Sequence, residues 1–160
     1  AKEWGRGQFA SMTLLQGAFS QNSFRSKVPL PFTMNDPPGM FHLAMTKYVV
    51  SGPIAVTHTV NDWALRFLFP PGAIIPFAKQ KQKEARFGAV GANGVVGLES
   101  EYAPPLQELK AMPAKVNLTK GRFNNLQVKD KKVLGGHNLV WNVNIVNLLV
   151  QVMQSTKTTV

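Results

Sequence analysis

The run Ile54-Ala55-Val56-Thr57-His58, set off by the turn residues Ser51-Gly52-Pro53, constrains the fold more than any other feature of the chain. It is β-branched and apolar without alternation, the pattern of a strand buried on both faces of a parallel sheet. A parallel strand needs crossover connections, so helices or long loops are expected on either side. The flanking sequence supplies them. Ser11 to Ala18 is a second short apolar run closed by glycine, expected as the first strand. Pro29, Pro31, Pro37 and Pro38 make Phe19 to Gly39 a long loop, and Met40 to Val50 carries enough apolar residues on one face for a short helix.

Beyond the central run, Thr59 to Asp62 is expected as the loop at the strand's C-terminal end. A helix is expected to begin at Trp63, break at Pro70-Pro71-Gly72 and resume over Ala73 to Arg86. Gly88, Gly91, Gly94 and Gly97 argue against a stable helix over Phe87 to Gly97, and a flexible connecting loop is expected there. Leu106 to Leu109 suggests a short helix. Val116 to Thr119 and Asn125 to Val128 alternate like edge strands, either as a hairpin across Lys120-Gly121-Arg122 or as a strand and its loop. After a charged loop from Asp130 to Gly136, Val140, Val143, Val146, Leu149, Val150 and Met153 mark the packed face of a final helix from Leu139. The order predicts an α/β fold, a mostly parallel sheet with helices on both faces. With 160 residues and 44% hydrophobic content, one domain or the C-terminal part of one is expected.

Composition narrows the chemistry. The absence of cysteine excludes disulfides, thiol catalysis and Cys-ligated zinc, and is compatible with the cytoplasm. No His and carboxylate cluster has metal-ligand spacing, so neither a metal nor a cofactor is expected. No apolar stretch is long enough to span a membrane as a helix, and no secretory leader is evident. The chain opens on Ala1 and soon runs into apolar sequence, as a processed or truncated chain does. The excess of 18 Lys+Arg over 8 Asp+Glu, net +10, allows anionic partners such as nucleic acid or a membrane surface by non-specific attraction. Lys79, Lys81, Lys83 and Arg86 form one basic cluster, and Lys129, Lys131 and Lys132 another. Both have few interleaved aromatics for base stacking, so a weak anionic partner is the functional reading and a solvated face the plain one.

Catalytic groups in an open parallel sheet gather at the C-terminal strand ends. Asp62 lies just past the central strand, and His137 sits in a glycine-framed loop before the last helix. A carboxylate there can hold one imidazole nitrogen so that the other acts as a base. Each residue also has a structural reading: Asp62 as the cap of a helix starting at Trp63, His137 as a loop histidine. His58 at the strand end and His42 on a helix surface are weaker candidates.

Gly52 to Asp62 resembles the penultimate core strand and acid loop of the α/β-hydrolases. Gly135-Gly136-His137 with the following helix resembles that family's histidine loop. Leu14 to Ser20 is similar to the strand after the nucleophile helix in bacterial members. The resemblance spans about residues 11 to 153 and implies that Asp62 and His137 are the triad acid and histidine. It also implies a nucleophile elbow, G-x-S-x-G, which this sequence lacks. Ser11, Ser20, Ser23, Ser26, Ser51, Ser100 and Ser155 have no flanking glycines of that pattern. The expectation is a C-terminal portion of a serine hydrolase acting on a small acyl substrate, its serine coming from a missing N-terminal segment or partner chain. The alternative is a non-catalytic basic α/β module that docks an acidic partner.

Overall fold

A computed structural model of the chain describes residues 9–28, 36–46, 49–69, 88–98, 102 and 106–156. The expected Ala73 to Arg86 helix, with Lys79, Lys81, Lys83 and Arg86, lies outside them. Among the described residues four strands form one all-parallel sheet: β1 (Met12–Leu15), β2 (Ile54–His58), β3 (Gln107–Glu108) and β4 (Phe123–Gln127), in the spatial order β1-β2-β4-β3. The fold is α/β. β2 is central and every residue in it is buried, as its unbroken apolar run requires.

Side chains alternate across the sheet and build a core on each face. Ile54, Val56 and Phe123 meet Phe24, Val50, Val90 and Val95 on one face. Ala55, Leu126 and Val128 meet Leu134, Ile145, Leu148 and Val152 on the other. α1 (His42–Thr46) precedes β2 in the chain, and a single turn, α2 (Val90–Asn93), packs its Val90 into the first face. The second face is covered by α3 (Val143–Thr156).

Four local expectations need correction. The glycine-rich stretch is a buried element and not a flexible connector: Ala89 and Val90 are fully inaccessible, and Gly91 donates its N–H to the Gly17 carbonyl at 2.9 Å. A side chain on Gly91 would lie 2.6 Å from the Gln16 carbonyl carbon, so glycine serves close approach there. The helix expected around Leu106 to Leu109 is instead β3, pairing Gln107 and Glu108 with Leu126 and Gln127. Parallel pairing to β4 outweighs a weak local helical preference.

The expected hairpin is absent too. Residues 116–119 lie beside β4 without joining the sheet. Asn124 accepts from the Thr119 N–H at 2.8 Å and donates to the Thr119 carbonyl at 3.1 Å, so a side-chain amide takes the place of a ladder. Gln151 of α3 receives the Val116 N–H at 2.9 Å and donates to the Ala114 carbonyl at 3.1 Å. Finally, α3 packs on another face than expected. Ile145, Leu148 and Val152 are buried, whereas Val143, Val146, Val150 and Met153 are exposed. It also begins after Asn142, whose Oδ1 accepts from the N–H groups of Asn144 and Ile145 at 2.9 and 3.2 Å, an N-cap arrangement that stops the helix short of Leu139.

Candidate active site at the C-terminal edge of the sheet

Chain order at the end of β2 explains why Asp62 is held so firmly. Thr59 stops the strand, and its hydroxyl accepts the Asn61 N–H at 3.1 Å, an ST-turn that reverses the backbone. Asp62 then sits at the start of a π turn (Ala64–Leu68), flanked by helical Trp63 and Phe69. The Phe69 N–H reaches back to the Ala64 carbonyl, the wide closure that defines such turns, which recur at functional sites.

The Asp62 carboxylate is completely buried and its two oxygens do different work. Oδ1 accepts the Leu65 N–H at 3.0 Å, and Oδ2 lies 3.1 Å from Nδ1 of His137. The capping role and the partner role expected as alternatives are therefore held together by one side chain. The first fixes the orientation from which the second is made.

His137 arrives from the other side. The Val128 N–H donates to the His58 carbonyl at 2.8 Å, extending the β2–β4 contact past β4. The Asn61 side chain donates to the Lys129 carbonyl at 3.0 Å and ties the two loops together. A turn at 131–133 follows, closed by Val133 and Leu134 N–H groups on the Asp130 carbonyl. Gly135 and Gly136 follow, and a side chain on Gly136 would stand 4.0 Å from the Asn61 carbonyl oxygen. The His137 side chain is 41% exposed while Asp62 is inaccessible, so the ring bridges a buried anion and the surface. With Nδ1 on the carboxylate, Nε2 is the nitrogen placed to take a proton from an incoming group.

The other candidates do not join this pair. His58 packs against Ala92 and Gly94 on the first sheet face. Its Nε2 is buried with no hydrogen-bond partner. Burial pushes its pKa below the ordinary 6.5, opposed by a hydrogen bond with the Ala92 backbone. The consequence has a definite sign. Above 6.5 the imidazole is neutral folded or unfolded and its contribution is fully present; below that value the unfolded chain binds the proton more readily, so stability is lost as pH falls. Urea denaturation across this range should show stability declining on the acid side of 6.5, with a shallower decline in a His58→Leu variant. Identical slopes would remove His58 as the cause. His42 opens α1 and is half-buried.

Sequence reasoning missed Asn61, the residue that stitches the two loops. An Asn beside an Asp in a loop gives no signal of a partner 68 residues away. It also missed Gln16, buried at the end of β1 with φ +47° and neither amide atom hydrogen-bonded. Among the described residues no group of His, Asp and Glu side chains could hold a metal ion, and no helix is long and apolar enough to cross a membrane.

No family model, curated protein or solved structure matches the chain.

Proposed function

We propose that this chain is the C-terminal portion of an α/β-hydrolase-type serine hydrolase, supplying its acid and its histidine for cleavage of an ester or related acyl bond. The observation that carries the reading is the 3.1 Å contact between Asp62 Oδ2 and His137 Nδ1 at the C-terminal sheet edge. In that role Asp62 keeps the proton on Nδ1. His137 Nε2 takes the proton of a serine hydroxyl as it attacks the acyl carbon, then returns it to the leaving group. The serine and the oxyanion donors belong to residues outside these 160. A small acyl substrate and a cytoplasmic setting go with this reading.

The test is complementation. Co-expressed with an upstream segment bearing an elbow serine, the chain should hydrolyse a p-nitrophenyl ester, and His137→Ala should abolish that activity. Hydrolysis indifferent to the substitution would overturn the assignment and leave a non-catalytic binding module.

A further inference from the structure

The surface around the Asp62–His137 pair is unusually apolar for an exposed edge. Val60 and Trp63, on either side of Asp62, are 51% and 61% exposed. Phe67 and Leu68 of the π turn are similarly open, as are Leu139 and Trp141 just after His137. Trp63 and Phe67 lie with ring centroids 6.3 Å apart. Single exposed apolar residues are ordinary, but a concentration of aromatic and aliphatic side chains on one edge marks an interaction surface.

The loops that carry them are tied to one another. Asn61 bonds the Lys129 carbonyl, Asp62 bonds His137, and the Asn142 side chain donates to the carbonyls of Val133 and Leu139. The space beside Gly135 is shared by Leu139 Cδ1 and the Lys131 carbonyl oxygen, at 2.9 and 3.0 Å from where a side chain would begin. Cations sit within the same loops: Arg66 between Trp63 and Phe67, with its guanidinium 5.3 Å from the Phe67 ring, and exposed Lys129, Lys131 and Lys132. Two exposed carboxylates oppose them. Glu108 is paired with Lys129 at 3.3 Å, and Asp130 accepts the Lys132 N–H at 2.8 Å. The local balance is positive, in a chain of net charge +10.

We propose that this edge docks on an anionic phospholipid surface, with Trp63, Phe67, Leu139 and Trp141 entering the interface and Arg66, Lys131 and Lys132 meeting headgroup phosphates. Tryptophan with aliphatic neighbours and flanking cations is the combination that a lipid interface rewards on both counts, apolar burial and charge. A single-stranded nucleic acid would use the same cations and aromatic rings. It gains nothing from exposed Val60, Leu68 and Leu139, which offer no π face to stack on. The docking rests on the proposed function in one respect only: it makes the substrate an ester presented from the lipid phase directly at His137.

Vesicle sedimentation of the full chain tests it, comparing phosphatidylcholine alone with phosphatidylcholine mixed with phosphatidylglycerol. Binding is expected to the mixed vesicles and to weaken as salt rises. The double variant Lys131→Glu/Lys132→Glu should lower partitioning by roughly tenfold or more. Trp63→Ala/Trp141→Ala should lower it as well and diminish the blue shift of tryptophan fluorescence on binding. All four side chains are exposed, so circular dichroism should show these variants folded. His137→Ala should bind vesicles like the wild type, which separates failure of docking from failure of the hydrolase reading. Equal binding to neutral vesicles, no response to charge reversal, or displacement by single-stranded DNA with no effect of the tryptophan substitutions would each overturn the proposal.

Discussion

In the proposed hydrolase, replacing Asp62 by asparagine is expected to slow ester hydrolysis about ten-thousand-fold while leaving the chain folded. The asparagine Oδ1 can still accept the Leu65 N–H, now 3.0 Å from Asp62 Oδ1, so the start of the π turn keeps its cap. What changes is the atom facing the imidazole. An amide N–H in place of Oδ2 donates to His137 Nδ1, shifts the ring proton to Nε2 and leaves no base toward the serine. Ring-nitrogen NMR shifts of His137 would report the tautomer directly, without relying on turnover. Asp62→Ala removes the cap as well and should cost about 1 kcal/mol of stability for that reason alone. Equal turnover in wild type and Asp62→Asn would take the pair out of the chemistry.

The largest effect on stability is expected at Phe123. Its side chain is inaccessible at the start of β4, and its ring packs on Phe24 with centroids 4.7 Å apart and the planes inclined by 60°. Phe24 in turn meets Phe19 and Phe41, so this ring anchors an aromatic cluster that closes the first sheet face. Phe123→Ala removes transfer energy and leaves a cavity between the sheet and Phe24, a loss of about 3–5 kcal/mol. That is a large share of the roughly 5–15 kcal/mol that holds a domain together. Urea midpoints would measure it. Phe123→Leu should recover much of the difference, because it restores most of the volume. A loss below about 1 kcal/mol would mean the cluster repacks.

The parts of this fold that were legible in the sequence are those where a single local pattern has one solution. Ile54 to His58 is too apolar and β-branched for anything but a central strand, and its bounds agree with the structure residue for residue. Asp62 and His137 stood out because both follow strand ends, where loops must converge. The misread elements depend on partners distant in sequence. α3 has apolar residues nearly all round, so periodicity alone could not decide whether Ile145, Leu148 and Val152 or the Val143, Val146, Val150 face would be buried. Gln107 and Glu108 form a strand only because Leu126 and Gln127 offer a free edge. The buried turn at Val90 was hidden because glycine reads locally as flexibility, while here it admits the backbone of Gln16.

Every pairing in the sheet joins residues far apart along the chain. β2 takes Met12 as the partner of Ile54 on one side and Phe123 on the other, and the two members of the acid–histidine pair are 75 residues apart. Such topology has few local contacts to nucleate on, so large loops close before any strand is rewarded. On a ribosome, β2 emerges with only half its neighbours available, and His137 emerges after all four strands. The contact between Asp62 and His137 therefore becomes possible only once the residues of all four strands have been made, and before α3 can cover the second face.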